Sequence, residues 1–205
     1  MTISSDKEYP RLMRDSSEND GKIETMFDYI LSWSVRFAET RYAHSRPTLN
    51  QYCRHILDQL TEGALGCKKV QSVEVWKQWN KIDLCIEATF EDNEGKVEKH
   101  AILVENKGYT NLHDSMDIDG QSRCQLKVYK KKFDDCYNNH RKEGHVLHYA
   151  LISCFERLEE PIKKYINKSN EQGFKLFAFD DLVYPSLNYC PTESDIFNEF
   201  WLMQW

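Results

Sequence analysis

The segment that most constrains this chain is His100-Ala101-Ile102-Leu103-Val104-Glu105-Asn106-Lys107-Gly108. Four consecutive apolar residues, two of them β-branched, predict a buried strand. The strand then ends in Glu105-Asn106-Lys107, which places a carboxylate and an ammonium group two residues apart and so on one face. Charge at the end of a strand ordinarily means that the chain has reached water. Any other meaning requires a partner for these charges elsewhere in the sequence.

A partner is available one strand upstream. Glu91-Asp92-Asn93-Glu94-Gly95 is a turn by composition, and it joins a strand over Ile82–Phe90 to the strand over Val97–Glu105. If the antiparallel hairpin is centred on Glu94, Thr89 opposes Lys99, Cys85 opposes Leu103 and Asp83 opposes Glu105. Opposed side chains share a face, with Cβ atoms about 4.5–5.5 Å apart. Asp83, Glu105 and Lys107 then converge at one end of the hairpin. Two carboxylates that close repel, and one becomes protonated unless a cation lies between them. Mg²⁺ suits such a site, because it accepts carboxylate oxygens and keeps several waters. It also makes bound water more acidic and neutralises charge that builds on a phosphoryl group. Lys107 can stabilise the same charge. A slip of one residue in the hairpin would undo the convergence.

The rest of the chain supplies a scaffold. Residues 23–43 carry apolar positions at helical spacing (Met26, Phe27, Ile30, Leu31, Trp33, Phe37). A second helix is predicted from Pro47 to about Gly63. Val70–Trp79 alternates as a strand. A long helix is predicted from Gly120 to Asn139, with Leu126, Tyr129, Phe133 and Tyr137 on its apolar side. A strand in VLHYALISCF, a helix over Glu159–Asn167, a strand over Phe174–Phe179 and a short C-terminal helix capped by Ser194 complete the order. This is an α/β pattern: a mixed β-sheet flanked by helices. Residues 1–22 are polar and read as a flexible segment, with one domain over 23–205.

Composition narrows the function classes. The 205 residues are 40% hydrophobic and 13% aromatic, enough for a substantial core, and the net charge is −6. That charge argues against a coat of basic residues for general nucleic-acid binding, while leaving room for a local basic groove. No apolar run approaches a membrane span, and the N-terminal stretch lacks the apolar centre of a signal peptide. The expectation is a soluble, cytoplasmic protein with no membrane partner. Seven cysteines without a CxxC pair read as reduced thiols rather than a disulfide or zinc framework. No Gly-rich phosphate loop, GxSxG or HExxH is present.

Taken together, Ile82-Asp83 at the head of one strand and Glu105-Asn106-Lys107 closing the next resemble the PD-(D/E)XK nuclease superfamily. Gln125-Leu126-Lys127-Val128-Tyr129 is similar to the QxxxY element of its RecB-like branch, and the spacing puts Gln125 and Tyr129 on one helical face. Glu39-Thr40-Arg41-Tyr42-Ala43-His44-Ser45-Arg46 looks similar to an N-terminal helical segment of some bacterial members. The resemblance spans roughly residues 24–155. It implies a restriction-endonuclease-like fold and Mg²⁺, or Mn²⁺ in its place, held by Asp83, Glu105 and the main-chain carbonyl of Asn106. It further implies that Lys107 assists the attacking water and that Glu39 is the helical acid completing the site, with Glu62 as substitute. Gln125 and Tyr129 would brace Lys107 or contact nucleic acid. The family's proline before the aspartate is absent, since residue 82 is Ile, which makes the match less specific.

The resulting expectation is a metal-dependent nuclease acting on DNA in repair, restriction or defence, alone, as a homodimer or within a helicase–nuclease assembly. The rival reading is a catalytically silent module of the same fold that binds nucleic acid or protein. Lys127, Lys130, Lys131 and Lys132 can track phosphates or form a solvated helix face. Residues 113–120 superficially resemble a calcium loop but put Leu126 where the bidentate glutamate belongs, so calcium is not expected. His140, His145 and His148 read as exposed or core residues, and the five tryptophans as core more often than base-stacking platforms.

Overall fold

The computed structural model describes residues 23–108, 112, 114–116, 122–140, 144–154, 162–183 and 190–202. The elements are α1 (Ile23–Arg36), α2 (Pro47–Leu60), β1 (Lys69–Trp79), β2 (Ile82–Glu91), β3 (Val97–Lys107), β4 (Asp114–Met116), β5 (Ser122–Cys124), α3 (Gln125–Asp135), β6 (Val146–Ser153), α4 (Lys163–Gln172), β7 (Lys175–Phe177) and α5 (Asp195–Trp201). The expected order holds, with the short β4–β5 pair as an addition. The long helix expected from Gly120 begins only at Gln125, because Ser122–Cys124 pairs as β5 instead; residues 120–121, the segment before Ile162, the N-terminal 1–22 stretch and most of the 113–120 loop lie outside the described residues. The long helix gives way to a π-helical turn at Cys136–His140.

Five strands form one mixed sheet in the order β1-β2-β3-β6-β7. The first three are an antiparallel meander, and β6 and β7 add in parallel. The β2–β3 hairpin takes the register read from the sequence: Thr89 opposes Lys99 and Cys85 opposes Leu103. Its turn is tied by Asp92, whose Oδ1 accepts from the N–H groups of Glu94 and Lys96, both at 2.9 Å. The β1–β2 connection has two residues only. Asn80 and Lys81 both adopt positive φ, 52° and 73°, with Trp79 opposite Ile82. That is the type I′ geometry whose twist matches a tight hairpin.

Helices cover both faces of the sheet. On one face, Phe27, Leu31 and Val35 of α1, Leu49, Cys53, Ile56 and Leu57 of α2, and Phe197, Phe200 and Trp201 of α5 pack on Leu84, Ile86, Ile102, Val104, Ala150 and Ile152. On the other, Leu126, Tyr129 and Phe133 of α3 and Tyr165 of α4 pack on Cys85, Ala101, Leu103 and Leu151. Burial of each large side chain contributes roughly 1.5–3 kcal/mol. β3 lies between antiparallel β2 and parallel β6, so every residue from His100 to Lys107 is buried. That double cover explains its unbroken apolar run. Among the described residues no cysteine is in a disulfide, and no helix is long and apolar enough to cross a membrane.

Candidate active site

The alternation of β3 decides what each residue at its end faces. Leu103 belongs to the α3 side and Val104 to the α1 side. Glu105 and Lys107 therefore face α3, and Asn106 faces α1. On the α3 side, Lys107 Nζ contacts Glu105 Oε1 at 2.6 Å. Gln125 Nε2, in the first turn of α3, donates to the same oxygen at 2.6 Å and to Tyr129 Oη at 3.2 Å. The four-residue spacing predicted from the helix thus places glutamine and tyrosine beside the carboxylate.

Asp83 joins them from β2. Its Oδ2 accepts from the main-chain N–H of Asn106 at 2.8 Å, and its Oδ1 from Gln78 Nε2 at 3.2 Å. A residue's N–H and C=O point to the same side of an extended strand. The Asn106 carbonyl is accordingly turned toward β2, past the last ladder pair, Leu84–Val104.

The α1 side supplies two acids that the sequence reading did not select. Asn106 Nδ2 donates to Asp28 Oδ1, and Gly108 N donates to Glu24 Oε1 at 2.6 Å. Asp28 and Glu24 are one helical turn apart. A usable signal was present: Asp28 is two helical turns before Val35 and so borders the buried face of Phe27, Leu31 and Val35, where a solvated charge has no reason to be. Tyr165 Oη donates to the Gly108 carbonyl at 3.2 Å and fixes the far side of the same turn.

The electrostatics are those of crowded buried acids. Burial, and then the charge of Asp83, raises Glu105 to about 8. Burial followed by Asp83 raises Asp28 to about 7. Asp83 is itself raised, chiefly by burial. Burial alone would lower Lys107, but the Glu105 and Asp83 carboxylates outweigh it and hold the ammonium charged. Glu105 is 1% exposed, and its Oε2 has no hydrogen-bond partner among the described residues. A buried carboxylate oxygen without a donor costs free energy on the order of 1–3 kcal/mol or more.

Glu39 is not brought to this group. Its Oε1 accepts from Val73 N at 3.0 Å, and its Oε2 pairs with Arg41 Nε at 2.5 Å. Val73 opposes Ala88, five residues along β2 from Asp83 and so roughly 17 Å away. Glu62 is also elsewhere, beside His148 Nδ1 at 3.6 Å. Lys127 and Lys131 are exposed on α3. Lys130 Nζ reaches the Gln172 carbonyl at 3.2 Å and lies over the Tyr149 ring. Among the described residues, no group of three or more His, Cys, Asp or Glu side chains is arranged as a ready metal cage.

Comparison of the chain with known protein families, with curated proteins and with solved structures returns no match.

Proposed function

We propose that this chain is a Mg²⁺-dependent nuclease that hydrolyses phosphodiester bonds, with DNA as the substrate expected from the sequence. The observation that carries this reading is the meeting of Asp83, Glu105, Lys107 and Gln125 at one strand end, with Glu105 Oε2 buried and, among the described residues, without a donor. The residues come together from three separate elements in the combination that the resemblance to PD-(D/E)XK nucleases implies. The order helix, three-strand meander, helix, parallel strand also supports that family's fold.

The donor set fits Mg²⁺. This ion is ordinarily held by one or two carboxylates plus waters and substrate phosphate, rather than by a closed protein cage. Asp83, Glu105 and the Asn106 carbonyl would hold it, with Asp28 or Glu24 of α1 in the place the resemblance assigned to Glu39. When bound, it supplies an acidified water and a counter-charge for the phosphoryl oxygens.

The protein's own groups have separate tasks. Lys107 is kept as an ammonium by Glu105, so it donates hydrogen bonds and positive charge to the phosphoryl oxygens as charge develops there, and does not act as a base. Gln125 fixes the Glu105 carboxylate, and Tyr129 fixes Gln125. Gln78 and the Asn106 N–H hold Asp83 at its angle. The exposed Lys127 and Lys131 can steer phosphates toward this end of α3.

The test is cleavage of labelled DNA by the purified chain in Mg²⁺, with Asp83→Ala and Lys107→Ala as variants. Each should lower the rate by at least about 10², with the circular dichroism spectrum unchanged. Full Mg²⁺-dependent cleavage by Asp83→Ala would sink the proposal. Heat released on titrating Mg²⁺ or Mn²⁺ into the wild type, and absent with Asp83→Ala, separates a metal enzyme from a silent scaffold.

A further inference from the structure

The geometry points to a phosphate-binding edge beside the carboxylates: Lys77 and Lys81, at the end of the β1–β2 hairpin, hold the nucleic-acid backbone next to the phosphodiester that is cut. The inference rests on the nuclease reading and adds to it where the backbone of the substrate lies.

The hairpin sets both lysines close to Asp83. Lys81 precedes Asp83 by two residues, a step of about 7 Å along a strand. Lys77 opposes Leu84, the residue after Asp83, across strands about 4.8 Å apart. Leu84 packs on the α1 side of the sheet, so Lys77 shares that face. There its ammonium lies 2.8 Å from the centre of the Tyr29 ring, and Tyr29 is 60% exposed. Burial raises the Asp28 carboxyl, and Lys77 is near enough for its charge to offset part of that rise. Lys81 is exposed at the hairpin tip.

At the far end of the same strands, lysines are matched with acids. Lys69 pairs with Glu91 at 3.6 Å, and Lys68 and Lys96 pair with Glu98 at 2.6 and 3.2 Å. Among the described residues, neither Lys77 nor Lys81 is in a salt bridge. An aromatic ring attracts an ammonium group without neutralising it, so the charge of Lys77 stays available to a phosphate. The backbone adds a second observation. Gln78, Asn80 and Lys81 have φ of 55°, 52° and 73°. A glycine at position 81 would relax the turn, yet a lysine stands there, and strained backbone of this kind concentrates at functional sites. Crowded carboxylates repel a polyanion, and cations on their border supply the attraction that brings it in. Lys127 and Lys131 are exposed on α3, which covers the other face. The backbone therefore meets cations on both sides of the carboxylates. Such contacts fix position and carry no base information, so the edge accepts any sequence.

The experiment uses the full-length chain and a fluorescein-labelled DNA duplex. Anisotropy in EDTA gives Kd between about 50 and 200 mM KCl. Lys77→Gln and Lys81→Gly should each flatten the slope of log Kd against log salt by about 0.9, and the double variant by about twice that. Lys81→Arg should keep the wild-type slope, and so should Lys69→Gln at the other end of β1. In Mg²⁺ the double variant should cleave the duplex with KM raised at least about threefold. Lys81→Gly also relieves the turn, so weaker binding by that variant is not a loss of fold. Unchanged slopes in both single variants, or an equal change in Lys69→Gln, overturn the edge, and persisting Mg²⁺-dependent cleavage then leaves the nuclease intact. Duplex that is bound but not cleaved in Mg²⁺ sinks the nuclease reading, and the slopes still decide the edge. No binding by the wild type at any salt concentration overturns the edge.

Discussion

Glu39 ties its carboxylate to the backbone of an outer strand, while Asp28, eleven residues earlier, holds its carboxylate against the strand end at Asn106. Both are buried acids of the same helix-rich segment, Asp28 in the first half of α1 and Glu39 just past its end. What separates them is only the element that each one faces. Val73 N–H lies on the outer edge of β1, where no further strand pairs with it among the described residues. Glu39 Oε1 satisfies it, Thr40 Oγ1 satisfies Val70 N–H at 2.9 Å, and Arg36 donates to the Val75 carbonyl at 3.1 Å. These side chains cover an edge that would otherwise be a template for another strand. Replacement of Glu39 by alanine should cost about 1–3 kcal/mol, because a buried N–H loses its acceptor. The loss is read as a lower denaturant midpoint, while Mg²⁺-dependent cleavage per folded molecule stays at the wild-type level. A drop in that rate of 10² or more, with stability unchanged, would return Glu39 to the site.

At the scale of elements, the two hairpins carry the site by different means. The β2–β3 turn was legible, because Asp92, Asn93 and Gly95 are turn residues and the alternation on either side leaves one register that buries both apolar sets. The β1–β2 turn was not, because it uses Asn80-Lys81 where Asn-Gly is the usual choice. Lys81 at φ 73° and Gln78 at φ 55° are both left-handed residues with side chains. Each such residue costs on the order of 1–2 kcal/mol. Lys81→Gly removes that strain, offset in part by the backbone entropy of glycine. The variant should gain roughly 0.5–1 kcal/mol, seen as a rise in Tm of a few degrees. No gain would mean that the Lys81 side chain contributes contacts equal to the strain. Gln78 is a different case, since its amide fixes Asp83, and the strained backbone there lies at the candidate site.

Across the whole molecule, a buried histidine pair joins the two halves of the sheet. His100 Nδ1 and His148 Nε2 are 3.0 Å apart on neighbouring strands β3 and β6, and the His100 ring lies against Phe90. Glu98 faces the outer nitrogen of His100 at 3.8 Å and Glu62 that of His148 at 3.6 Å. Burial, then His148, lowers His100 to about 4, and burial lowers His148. Histidines in the unfolded chain titrate near 6.5. Between about 6.5 and 4 the unfolded chain therefore binds protons that the folded one does not. The pair's contribution is complete above pH 6.5 and is lost as pH falls toward 4. Tm should decline through that window, and His100→Gln should flatten the decline. An identical pH slope in the variant would place the acid sensitivity elsewhere.

The sequence by itself determined the local choices: the buried strand at Ala101–Val104, the register of its hairpin, the Gln125–Tyr129 spacing, and the order of strands and helices. Each follows from periodicity or turn chemistry acting over a few residues. The pairing of Glu105 with Lys107 also belongs here, since alternation on one strand sets it. Only the tertiary structure decided that α1 delivers Asp28 and Glu24, that Glu39 guards an edge, and that Gln78 holds Asp83. Those outcomes depend on how helices pack across a sheet, where contacts between residues up to about eighty positions apart are selected by the fit of whole faces. Such a fit leaves no period in the sequence to read.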